Sequence, residues 1–86
     1  MRLWGRLLLD NRAIKDITAE ADLGKGYQED LKACIMEICE NFDIEKPYWL
    51  NNNVKEYNQR SKTSFTKENF IEEIDFDKFI IEAIED

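Results

Sequence analysis

Tyr27-Gln28-Glu29-Asp30-Leu31-Lys32-Ala33-Cys34-Ile35-Met36-Glu37-Ile38-Cys39-Glu40-Asn41-Phe42 is the stretch of this chain with the clearest helical periodicity. Tyr27, Leu31, Cys34, Ile35, Ile38 and Phe42 recur at three- and four-residue intervals and fall on one stripe, while Glu29, Asp30, Lys32, Met36, Glu37 and Glu40 lie mostly elsewhere. Glu29 and Asp30 stand in the first turn, where the positive end of the helix dipole favours them. A helix of this kind must bury its stripe, and its flanks decide against what.

On the N-terminal side, residues 2–21 read as a β-hairpin. Leu3, Leu7 and Leu9 alternate along the first arm, with Gly5 between them, and Ile17, Ala19 and Ala21 alternate along the second. Asp10-Asn11-Arg12 supplies the turn, because Asp and Asn tolerate left-handed backbone and bond their own main chain. Both apolar sets occupy odd positions, so a common face requires an odd number of loop residues. A three-residue turn fits this count and a two-residue turn does not. Trp4, between Arg2 and Arg6, then points away from the leucines. Asp22 to Gly26 ends the hairpin with two glycines.

On the C-terminal side, Pro47 marks a break before Tyr48-Trp49-Leu50. Residues 51–64 are polar and read as an excursion from the core, with a short helix over Asn53–Gln59. Thr66 can cap a helix running from Lys67 to about Glu73, with Phe65 and Phe70 at the two staple positions. Phe76 to Glu85 fits either period, since Phe76, Phe79, Ile80, Ala83 and Ile84 also share a helical face. Its isoleucines favour a strand, added to the hairpin. The expected fold is α+β: an N-terminal β-hairpin, one main amphipathic helix, a short helix and a C-terminal strand, in the order ββααβ. A single small sheet packs on the main helix, in one domain spanning residues 1–86.

Composition excludes more than it identifies. The net charge is −7. Residues 1–66 carry ten basic and eleven acidic groups, whereas residues 67–86 carry eight acids against Lys67 and Lys78. Nucleic-acid binders show the opposite sign, because phosphate neutralisation supplies most of their affinity, so direct DNA or RNA binding is disfavoured. No histidine occurs, which removes the commonest general base and the commonest metal ligand. Cys34 and Cys39 are five residues apart, about 7.5 Å along a helix and too far for a disulfide. They read as reduced, apolar thiols of a cytosolic protein. The short apolar run from Met1 to Leu9 is no secretory h-region, and no stretch approaches a membrane span.

The candidate sites are therefore surfaces. Tyr48 and Trp49, with Trp4, concentrate large side chains of the type enriched at interface hot spots. Their plain alternative is the closure of one end of a small core. Glu72, Glu73, Asp75 and Asp77 cluster carboxylates that could hold a cation, but a calcium loop also needs a turn glycine that is missing here, so a solvated acidic face is the simpler reading. The row Arg2, Trp4, Arg6 offers cation, aromatic, cation to a phosphate or base, or else pairs as an ordinary solvent face with the acidic C-terminal strand. Gly24 and Gly26 lack the Lys-Ser/Thr of a phosphate loop. No catalytic, cofactor or metal residue is assigned, and Cys34 lies on the apolar stripe, where a thiolate is poorly stabilised.

Met1-Arg2-Leu3-Trp4-Gly5-Arg6, Asp10-Asn11 with Ile14-Lys15-Asp16, Ser64-Phe65-Thr66-Lys67 and Ile74-Asp75-Phe76-Asp77-Lys78-Phe79 together resemble a group of short, uncharacterised acidic bacterial proteins. The resemblance implies no activity. The expected function is a small, non-catalytic, cytosolic binding or regulatory module with a protein partner. The competing expectation is an acidic inhibitor whose carboxylates imitate nucleic-acid phosphates and block a nuclease or DNA-binding protein. An exposed edge strand offers a route to a homodimer.

Overall fold

A computed structural model describes residues 1–84. Strands β1 (Arg2–Leu9) and β2 (Arg12–Glu20) form the hairpin, followed by α1 (Tyr27–Phe42), α2 (Asn51–Arg60), β3 (Lys62–Phe65), a 3-10 turn (Lys67–Asn69) and β4 (Lys78–Ile84). The four strands make one antiparallel sheet in the order β2-β1-β4-β3. The α+β class, the N-terminal hairpin and the C-terminal strand added to β1 are as the sequence leads one to expect. The expected end of that strand at Glu85 lies outside the described residues.

One face of the sheet carries the core. Leu3 and Leu7 of β1, Ala19 of β2, Phe65 of β3 and Phe79 and Ile81 of β4 are buried there against Leu31, Cys34, Ile35, Ile38 and Phe42 of α1. The helix approaches closely because Gly5 has no side chain: a Cβ there would stand 2.6 Å from Ile38 Cγ2. Gly26 begins α1 at φ 102°, a backbone that other residues rarely adopt. At the opposite end Lys15 Nζ donates to Phe42 O at 3.3 Å, placing a cation on the negative pole of α1.

The hairpin turn corrects the residue count made above. Asp10 and Asn11 alone form the turn, both at positive φ (53° and 66°), with Leu9 opposite Arg12. The register then shifts by one: Leu8 faces Ala13 and Leu7 faces Lys15, leaving Ile14 as a bulge. A two-residue turn plus one bulged residue restores the odd count that brings Leu3 opposite Ala19.

The short helix expected over Asn53–Gln59 is present and longer, Asn51–Arg60, but the rest of the polar stretch is not an excursion: Lys62–Phe65 continue as an edge strand. Thr63 and Phe65 turn inward and are buried. The expected helix from Lys67 to Glu73 is only a 3-10 turn: Asn69 accepts from Thr66 N–H at 3.0 Å, as a helix start would, but Phe70 adopts extended backbone and ends it after one turn. Phe70 packs edge-on to Phe76 at 5.6 Å, while Phe65 contacts Phe79 and Trp49.

Candidate functional site

Two buried asparagines organise the helical side of the molecule. Asn53 Oδ1 accepts from Leu50 N–H at 3.0 Å and from Asn69 Nδ2 at 2.7 Å, while its Nδ2 donates to Thr63 Oγ1 and Ser64 O, each at 2.9 Å. Asn69 Nδ2 also donates to Tyr48 O at 2.7 Å, and Tyr48 N–H donates to Asn69 O at the same distance. Thr63 Oγ1 completes the set by donating to Glu56 Oε1 at 2.7 Å. All four positions of the Asn53 amide are used, so this polar cluster is satisfied inside the fold. Its effect is to clamp residues 48–50 between α2 and the 3-10 turn.

The clamp holds Tyr48 and Trp49 opposite α1. Trp49 stands edge-on to Tyr57 (5.5 Å) and to Phe65 (5.3 Å), so it is half buried and closes the core. Tyr48 is 57% exposed. Between these residues and α1 runs a groove of about 950 Å3. Its α1 wall comprises the rows Tyr27-Leu31-Ile35 and Gln28-Lys32-Met36, and Pro47, Tyr48, Trp49, Val54 and Tyr57 form the other. From Tyr27 to Met36 the helix rises about 14 Å. Tyr27, Met36, Tyr48 and Val54 all leave large apolar surface in water along the groove. Tyr27 and Tyr57 share a hydroxyl–hydroxyl bond of 2.6 Å that ties α1 to α2.

Tyr48 and Trp49 thus lie at one site, but Trp4 does not join them. Trp4 sits on the uncovered face of the sheet, opposite Glu82 and Thr18. The Arg6 guanidinium lies 4.0 Å from its ring centre and 3.6 Å from Glu82, and Lys62 reaches Glu82 at 3.8 Å. Within the row, Arg6 is therefore engaged with the acidic C-terminal strand, whereas Arg2 lies 3.6 Å from Glu20 of β2.

Glu72, Glu73, Asp75 and Asp77 are all exposed. Asp77 Oδ2 accepts from Asp10 N–H at 2.9 Å, and Glu72 N–H donates to Glu45 Oε1 at 3.0 Å. Among the described residues, no group of three or more His, Cys, Asp or Glu is placed to hold a metal, and no helix is long and apolar enough to cross a membrane.

Both cysteines are free and buried. Burial raises the Cys34 thiol, pushes that of Cys39 up to about 11, and raises the Tyr57 phenol, which the Tyr27 hydroxyl raises further. All three groups are held neutral, the opposite of an activated nucleophile.

The groove was only half legible in the sequence. Tyr48 and Trp49 stood out by type. Met36 and Lys32, which share its α1 wall, are off the predicted apolar stripe, and residues 51–64, with only a short helix over Asn53–Gln59, read as an excursion from the core. No family model matches this chain, and no similar curated protein or solved structure was found.

Proposed function

We propose that this chain is a non-catalytic protein-binding module that receives a partner's apolar side chains in the groove between α1 and α2. The observation that carries this reading is the pairing of exposed apolar walls with a rigid support. Tyr27, Met36, Tyr48 and Val54 face water, while the Asn53–Asn69 cluster fixes the segment that bears Tyr48. A pre-formed apolar hollow with few polar groups gains by excluding water and loses little conformational freedom on binding. The neutral, buried Cys34, Cys39 and Tyr57 and the lack of histidine support a non-catalytic role. Two unpaired thiols support a reducing, cytoplasmic setting.

Affinity capture from the native host's lysate, at low and at high salt, tests this with Met36→Asp and Tyr48→Ala as exposed-site controls. The expected result is a specific protein retained at high salt and lost with both variants. A partner insensitive to both, lost at high salt and lost on neutralising Glu72, Glu73, Asp75 and Asp77, would instead establish the phosphate-mimicking inhibitor.

A further inference from the structure

We infer that the groove accepts the Ile71 loop of a second copy of this chain, a conclusion that rests on the groove being a protein-docking site. Ile71 has the highest exposure of the large apolar side chains among the described residues, at 74%. Its loop is nevertheless firmly held. Asn69 is buried and bonded on one side, Phe70 is packed on Phe76, and Glu72 N–H donates to Glu45 Oε1. An apolar side chain presented on a fixed support loses little freedom when it docks.

Its surroundings complement the groove. Glu72 and Glu73 follow Ile71 directly and Glu68 precedes it, all exposed. The groove offers apolar walls and two cations, Lys32 and Lys46, against a single lining carboxylate, Glu29, which lies 3.8 Å from Lys32. The lining thus carries one net positive charge, with Lys46 the cation not paired to Glu29, in a chain of net charge −7.

The Ile71 loop runs beside residues 45–48, bonded through Tyr48 N–H to Asn69 O and through Glu72 N–H to Glu45, so projection and hollow flank one ridge. With both contacts related by one two-fold axis, association stops at a closed dimer and does not continue as a filament. The edges of the sheet are poorer routes, since β2 is interrupted at Ile14 and β3 has four residues. Repulsion between two acidic chains opposes approach, but at physiological salt it decays over about 8 Å. The contact belongs to the small, transient class.

Sedimentation equilibrium of the full chain at physiological ionic strength, from micromolar to millimolar concentration, tests the proposal. The average mass should climb from the 10.3 kDa monomer toward twice that value. Ile71→Asp, at a solvent-exposed position, should weaken self-association by about tenfold or more. Lys46→Glu should weaken it too, and adding Glu72→Lys and Glu73→Lys to Lys46→Glu should restore part of it. A chain monomeric at millimolar concentration, or association unchanged by Ile71→Asp, overturns the inference. If lysate capture still depends on Met36 and Tyr48 in that case, the docking groove stands and only its occupant is wrong. If capture fails as well, both readings fall.

Discussion

Asn69 Nδ2 donates directly to Asn53 Oδ1 at 2.7 Å, an amide-to-amide bond between two residues that are almost wholly out of solvent. Removing either side chain leaves partly buried backbone groups without their protein partner. Asn53→Ala leaves Leu50 N–H, Ser64 O and one Asn69 proton without their partner, and should cost about 3 kcal/mol or more. Asn69→Ala should cost a comparable amount, and the double substitution less than the sum, because the two share one cluster. Urea unfolding of the four proteins measures this. Additive losses would show that the amides act independently.

Alkaline pH should weaken the fold through groups it holds neutral. Cys39 has a folded pKa of about 11 against an ordinary 9.0, and Cys34 and Tyr57 are raised as well. Below about pH 9 the Cys39 thiol is protonated folded or unfolded, so its contribution is fully present. Above that, the unfolded chain releases the proton first, and stability falls by about 1.4 kcal/mol per pH unit from Cys39 until its folded pKa is reached. Urea midpoints across this window should decline, and Cys39→Ala should flatten part of the decline. A decline of the same steepness in that variant would contradict the burial of the thiol.

The same burial predicts slow thiol chemistry. Cys34 and Cys39 should resist a water-soluble disulfide reagent in the native state and react promptly in denaturant. Stopped-flow labelling of both states decides the matter, and prompt reaction in native buffer would show that α1 opens readily.

Gly5→Ala should destabilise by about 1–3 kcal/mol, because the added methyl meets Ile38 Cγ2 at 2.6 Å. The cost should shrink in an Ile38→Ala background, where the obstructing atoms are gone. An equal cost in both backgrounds would place the conflict elsewhere.

Much of the architecture was legible because its signals are local. The bounds of α1, Tyr27 and Phe42, follow from a stripe that needs no knowledge of its partners. Lys62–Phe65 was not legible, since its four residues have only Thr63 and Phe65 to mark an inner face and the strand depends on pairing with β4. Asn53 and Asn69 were hidden for a related reason: a buried amide has the composition of a loop until its partners are placed. Trp4 and Trp49 are the same residue type, yet the pleat of β1 turns Trp4 to the uncovered face of the sheet while Trp49, in the segment before α2, packs on Phe65 of the core.

Ile14, the bulged residue of β2, makes the hairpin sensitive to single insertions and deletions. Deleting Ile14 removes the one-residue offset between the strands, so Lys15, Ile17 and Ala19 could keep their alignment with β1 only by a compensating change in the turn. Lengthening the Asp10-Asn11 turn by one residue in the same chain supplies that change. Each alteration alone should disturb the hairpin, and together they should restore its pairing. The fold therefore conserves the parity of chain length between Leu9 and Lys15 more strictly than the place where the odd residue is kept.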